Sequence, residues 1–259
     1  MALIHRLSKR HSPPPAAGTR DKRMMWNNRV LRNCHYLSGL LAILLTVAPG
    51  AATARSICYG NTSYGRLENG VQLPLSGENF VAYGKLPVMA GRTYVHSKVH
   101  TIVLAAYKSL ATSHPGKMFI YGETGLINGG KFKPHKTHQN GLSVDFLVPV
   151  FDAEGQPSRL PTNVVNKYGY TIDFDSSGQY GDYRIDFDTL GAHLVALHKA
   201  AQENGVSLWR VIFAPDLQDK LYATQYGDYI KKHILIPKKR SWVRHDEHYH
   251  VDFRVKCRR

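Results

Sequence analysis

Apolar positions fall into stretches of different period along this chain. Leu37 to Ala48 (LSGLLAILLTVA) is a continuous apolar run, short for a bilayer span and of the length of a signal-peptide core. Residues 55–90 are rich in Gly, Ser and Asn and show little periodicity, so they read as an extended segment with little regular structure. From Tyr94 to about Ala111, residues Val95, Val99, Ile102, Val103, Ala106 and Leu110 recur at helical spacing, and His114-Pro115-Gly116 ends that helix. Met118 to Tyr121 is a short strand, and a glycine-rich loop follows from Gly125 to Lys136. Leu142 to Phe151 is apolar and β-branched and predicts a strand, as does Tyr168 to Phe174. Asp188 to Asn204 predicts a second helix, with Leu190, Leu194, Leu197 and Ala201 on one face and Gly205 as its stop. Trp209 to Phe213 reads as a strand, and Pro215 to about Tyr222 as a short helix. In His248 to Val255 the residues Tyr249, Val251, Phe253 and Val255 alternate with His248, His250, Asp252 and Arg254, the pattern of a final strand. Strands and helices interleave without regular βαβ spacing. The expected class is α+β, a small and mainly antiparallel sheet with flanking helices.

The apolar run follows a polar, basic stretch up to Arg32 and precedes Ala52-Thr53-Ala54, which fits a signal-peptidase site before Arg55. Residues 1–54 are therefore expected to be a signal peptide with a long basic leader, and 55–259 a single periplasmic domain without stable membrane insertion. A buried helix or a membrane anchor is the competing reading, and Met24 or Met25 is an alternative start. The net charge is +15; eight of the 34 basic residues and one of the 19 acids lie in 1–54, which leaves +8 on the remainder. That surface suits an anionic polymer such as a cell wall. No nucleic-acid motif accompanies it, so nucleic acid is not expected as a partner. Cys34 belongs to the leader, and Cys58 and Cys257 lie near the two ends of the remainder. An oxidising compartment permits a bridge between them, worth at most about 5 kcal/mol by chain entropy; two free thiols are the alternative.

Two histidine clusters carry the candidate chemistry. The first is Pro134-His135-Lys136-Thr137-His138-Gln139-Asn140-Gly141-Leu142-Ser143-Val144-Asp145. Gly141 allows a turn, so a histidine at the loop end and an aspartate on the adjoining strand can converge on one ion. Imidazole and carboxylate are both ordinary zinc ligands. The second is His245-Asp246-Glu247-His248-Tyr249-His250. On a strand, His248 and His250 point to one face, so one can hold a metal while the other acts as acid or base beside it.

Together, H-x(6)-D and the late H-x-H resemble the metallopeptidase superfamily of lysostaphin-type enzymes, D-Ala-D-Ala peptidases and the hedgehog signalling domain. A nearer resemblance is to the penicillin-insensitive murein endopeptidases. The run from Gly129-Gly130-Lys131-Phe132 to His135, His138-Gln139, Gly141 and Val144-Asp145 is similar to that family's Gly-Gly-basic-Phe…His-x-x-His-Gln-x-Gly-x-x-Val-Asp signature, and His245…His248…His250 to its C-terminal one. The resemblance is clear over 115–150 and 205–257. It implies a hedgehog/D-Ala-D-Ala-peptidase-like fold, a Zn2+ cofactor, and hydrolysis of D-alanyl–diaminopimelate crosslinks in peptidoglycan. It implies His138, Asp145 and His250 as zinc ligands and His135 as a further histidine at the metal. It also implies His248 as general base or transition-state stabiliser, His245 as another active-site histidine, and a bridge Cys58–Cys257. Ser143 departs from the aspartate usual in the family, the family's other disulfides lack cysteines here, and no second, peripheral metal site has a counterpart.

Two other functions stay open on the sequence: a D-Ala-D-Ala carboxypeptidase, and a non-catalytic zinc-containing wall-binding domain. Lys131, Lys133 and Lys136 are either contacts for a stem-peptide carboxylate or a solvated basic loop. Trp242 and Tyr249 either wall the cleft or serve packing. Lys238-Lys239-Arg240 reads as a solvated turn, and His96, His100, His193 and His198 as structural or exposed.

Overall fold

Residues 55–259 are described by the computed structural model, so the expected leader, its cleavage site and Cys34 lie outside the described residues. An N-terminal hairpin is made by β1 (Ile57–Asn61) and β2 (Tyr64–Glu68). The central sheet uses β3 (Phe80–Ala82), β4 (Phe119–Tyr121), β5 (Ser143–Leu147), β6 (Ser207–Ile212) and β7 (His248–Arg254). Their spatial order is β6-β7-β5-β4-β3, antiparallel except for the β3–β4 pair. Two long helices, α1 (Ser97–Ser113) and α2 (Phe187–Glu203), complete the frame. The fold is the expected α+β class.

The alternation in β7 sets the two faces of the sheet. Tyr249, Val251 and Phe253 turn toward the helices, where His193 of α2 packs edge-on to Phe146 and hydrogen-bonds the Tyr249 hydroxyl. Tyr107 of α1 stacks on the His193 ring, which closes this apolar layer. The other face carries His248, His250 and Asp252, and the β5–β7 register sets His250 opposite Asp145 and Asp252 opposite Ser143. Directly opposed residues share a face, so pairing alone brings the second histidine cluster to the first.

Several elements differ from the periodicity reading. α1 begins at Ser97, because His96 stays extended and caps the helix, its Nδ1 accepting from the Lys98 N–H at 3.1 Å. Tyr94–Val95 instead pairs with Val71–Gln72. The run 142–151 is two strands. β5 stops at Leu147, and beyond Val148-Pro149 the residues Val150–Phe151 join a second, four-stranded sheet. Proline cannot donate to a ladder, which explains the break. Tyr168 to Phe174 is not a strand: Tyr168 and Gly169 both have positive φ, 59° and 101°. Its backbone bonds close local turns, such as the Tyr168 N–H to Asn163 O at 2.7 Å and the Ile172 N–H to Gly169 O at 2.9 Å, and the Phe174 N–H donates to Asp246 Oδ2 at 2.6 Å. Residues 55–90 hold more structure than expected, including the β1–β2 hairpin, β3 and a short helix, Lys85–Met89. The short helix after Pro215 is present as a 3-10 turn leading into Gln218–Tyr222, and a further helix, Gly227–His233, was not anticipated.

Candidate metal centre

The first cluster sits on a loop held by its neighbours' backbone. His138 has φ 67°, and Gly141 follows at φ 74°. A Cβ on Gly141 would stand 2.7 Å from the His96 backbone nitrogen, so the turn into β5 requires glycine there. The hairpin supports the loop from below: the Gln139 N–H donates to Thr62 O at 3.1 Å, and the Leu67 N–H to Asn128 O at 2.9 Å. β1 is tied in turn to the C-terminus by Cys58–Cys257 and by backbone bonds between Gly60, Cys58 and Arg258.

Four donor side chains converge over β5. One donor atom from each of His135, His138 and Asp145 lies within 4.8 Å of the other two. His250 approaches from β7, its Nδ1 at 2.8 Å from Asp145 Oδ1. Each histidine is oriented by a partner on its other nitrogen. The His138 Nδ1–H donates to Thr124 O at 3.1 Å; its Nε2, fully buried, makes no hydrogen bond and lies 3.3 Å from Asp145 Oδ1. His250 Nε2 donates to Asp252 Oδ1 at 2.9 Å, and Asp252 is fixed by Ser143 at 2.5 Å and Arg210 at 2.7 Å. His135 Nε2 pairs with Glu123, which also binds Arg92 and, at 2.8 Å, the Tyr83 hydroxyl. A carboxylate or carbonyl on the far nitrogen of each imidazole is the arrangement that selects one tautomer and aims the near nitrogen at a cation. An orphaned, buried Nε2 beside a buried carboxylate is a mixed N/O donor set suited to zinc.

The electrostatics follow from this wiring. Burial would raise the Asp145 pKa, but the surrounding histidines hold it well below the ordinary carboxylate range. Burial opposes charge on His250 too; Asp252 and Asp145 outweigh it and raise its pKa to about 10. At Glu123 burial is again overcome, here by hydrogen bonds from His135 and Arg92, and the pKa falls to about 2. His248 is buried beside Asp145, with Nδ1 2.6 Å from Glu247 Oε1, and despite burial that carboxylate raises its pKa. His245, at φ 60°, stacks near it with ring centroids 4.6 Å apart, and burial pushes its pKa down to about 3. Two adjacent histidines are thus shifted in opposite directions by their surroundings, a contrast found where proton transfer is catalysed. Both face a cleft of about 750 Å³ lined also by His135, Asp145, Tyr170, Arg210, Trp242 and His250.

The model of the penicillin-insensitive murein endopeptidase family matches residues 58–259. The chain belongs to this family. No curated protein matches it. As a murein endopeptidase it is a peptide-bond hydrolase acting on peptidoglycan, and its half-buried His135 with the buried His138 and Asp145 are a group able to hold a metal ion.

Within this murein endopeptidase the structure gathers all six histidine and aspartate positions singled out in the sequence into one place. Cys58 and Cys257 are bridged. Trp242 lines the cleft and lies under the Lys136 ammonium, 5.0 Å from the ring centroid; Lys131 and Lys133 do not line the cleft. Tyr249 does not wall the cleft either, because it points to the helical face and is buried there. The four structural histidines are as expected: His96 caps α1, His193 is in the core and His198 bonds Tyr229, while His100 is partly buried on α1. Sequence reading missed Glu123, Arg92, Asp252, Arg210, Glu247 and Tyr170, whose hydroxyl donates to Asp145 Oδ2 at 3.1 Å. Only Asp252 carried a signal, since it shares the alternating face of His248 and His250.

Proposed function

We propose that this murein endopeptidase is an exported zinc enzyme that hydrolyses D-alanyl–diaminopimelate crosslinks, with His138, Asp145 and His250 as zinc ligands. His135 stands beside the ion, His248 is the general base or transition-state stabiliser, and His245 is a further active-site histidine. The observation that carries the reading is the buried, unbonded Nε2 of His138, aimed at Asp145 while its other nitrogen is held by Thr124 O. When bound, zinc supplies Lewis acidity for a peptide carbonyl and lowers the pKa of water toward neutrality.

The chain's own residues account for the rest. Asp252 and Thr124 O hold the far nitrogens of His250 and His138, so neither ring needs to reorient on substrate binding. His248, paired with Glu247, presents Nε2 toward the cleft 4.0 Å from Asp145 Oδ2, where it can donate to oxyanion or leaving amine. His245 lies beside it, ring centroids 4.6 Å apart, and lines the same cleft. The basic surface suits the wall polymer, and export places the enzyme beside it. No helix among the described residues is long and apolar enough to cross a membrane.

The test is a digest of purified crosslinked murein. Wild-type protein is expected to release monomeric muropeptides, and both a chelator and His250→Ala are expected to stop release. Monomer production by His250→Ala would sink the ligand assignment. Mass spectra showing loss of a single terminal alanine instead of dimer splitting would move the activity to a carboxypeptidase.

A further inference from the structure

β6 carries a register shift between Leu208 and Arg210. Such a bulge re-aims the side chains around it. Trp209 turns away from the cleft, while Arg210 faces Asp252 of β7 and lines the cleft with Ile212, His245 and His250. The guanidinium is fixed on two sides. Its Nε donates to Asp252 Oδ2 at 2.7 Å, and its Cζ lies 4.5 Å from the centroid of the Trp209 ring. Neither Nη hydrogen-bonds a described residue, and the side chain is 28% exposed. One edge of the fork is therefore anchored and the other is open to the cleft.

Other cations line this cleft, but their positions differ. Arg244 is occupied by Asp246, at 3.2 Å, and by Phe174 O. Lys136 rests over Trp242, and Lys167 is exposed on the 161–170 loop. Of the cations lining the cleft, Arg210 alone is tied to the metal centre, through Asp252 and His250. In the sheet it pairs one step beyond the Ile212–His250 pair, two residues or about 7 Å along the strand.

We propose that the Nη edge of Arg210 binds the carboxylate borne by the leaving residue of the scissile bond, making Arg210 a specificity-determining residue for free over amidated crosslinks. This rests on the D-alanyl–diaminopimelate reading. In that bond the leaving nitrogen is attached to a carbon that also carries a free carboxylate. A carboxylate so close to the reacting carbonyl has to lie near the metal ligands, where Arg210 is the available cation. A planar fork held by Asp252 and Trp209 meets a carboxylate with two parallel hydrogen bonds and little loss of side-chain freedom. The primary amide that replaces the carboxylate in an amidated crosslink has no charge and offers a single acceptor oxygen.

The experiment compares two muropeptide dimers that differ only in whether this carboxylate is free or amidated. Wild-type enzyme is expected to favour the free dimer in kcat/KM by a factor on the order of ten to a hundred. Arg210→Gln is expected to bring that ratio close to one, chiefly by losing activity on the free dimer, and Arg210→Lys to keep part of it. Each ratio is taken on one preparation, so partial unfolding, metal loss or a loosened Asp252 affects both substrates alike and cancels. A ratio in Arg210→Gln equal to that of wild type would overturn the proposal, as would a wild type with no preference. A wild type that splits neither dimer while still releasing monomers from murein would instead remove the D-alanyl–diaminopimelate reading on which it stands.

Discussion

Asp252 is the hub of a buried chain of side chains that runs from Ser143 and Arg210 through Asp252 to His250 and Asp145. Burial alone would raise its pKa, but His250, Ser143 and Arg210 hold it well below the usual carboxylate range. Ser143 belongs to this account. The family's usual aspartate at that position would set a second carboxylate against Asp252, whereas the serine hydroxyl donates to it at 2.5 Å. Removing Asp252 frees the far nitrogen of His250, and loss of such an orienting partner typically costs ten- to a hundredfold in metal affinity. Asp252→Ala is thus expected to bind zinc about that much more weakly in competition with a chromophoric chelator. Unchanged affinity would remove His250 from the ligand set. This role was half legible: the alternation of β7 put Asp252 beside His250, but Arg210 and Ser143 lie 42 and 109 residues away in sequence and only pairing reveals them.

At the scale of elements, β7 joins the chemistry to the core. Its even-numbered residues face the metal centre and its odd-numbered residues face α2. There His193, fully buried, bonds Tyr249, the residue between His248 and His250. Burial pushes the His193 pKa down to about 3, so the folded protein keeps this imidazole neutral. In the unfolded chain it titrates near 6.5. The folded pKa lies below the unfolded one, so the contribution is full above about pH 6.5 and is lost as pH falls toward 3. Urea unfolding between pH 7 and 4 is expected to show wild-type stability falling more steeply than that of His193→Phe, by roughly 1 kcal/mol per pH unit. His245 titrates in the same direction in both proteins and drops out of the comparison. Parallel slopes would show that His193 is already charged in the fold. The helical period of α2 was plain in the sequence; that one of its histidines reaches the strand of the active site was not, because periodicity assigns a face and not its partner.

For the molecule as a whole, the Cys58–Cys257 bridge joins residues 199 apart and ties the hairpin to the end of β7. The hairpin in turn holds the His138 loop through Thr62 and Leu67. Closing so long a loop constrains the unfolded chain, by up to about 5 kcal/mol in the chain-entropy model. Replacing both cysteines with serine is expected to lower the urea midpoint accordingly and to let metal escape at lower denaturant than in wild type, both followed in one titration. A loss of unfolding free energy below about 1 kcal/mol would mean that the backbone bonds of Gly60 and Arg258 suffice. The sequence by itself determined the α+β class, the two helices, β7, and the set of histidines with Asp145, because these are written in local period and in spacing. The tertiary structure alone decided which nitrogen of each histidine faces Asp145, what holds the opposite nitrogen, and that Arg210 opens one edge to the cleft. It also turned residues 55–90 from an expected loose segment into the support of the metal loop. Those features depend on strand register and backbone hydrogen bonds between distant residues, which no local pattern of hydrophobic and polar positions encodes.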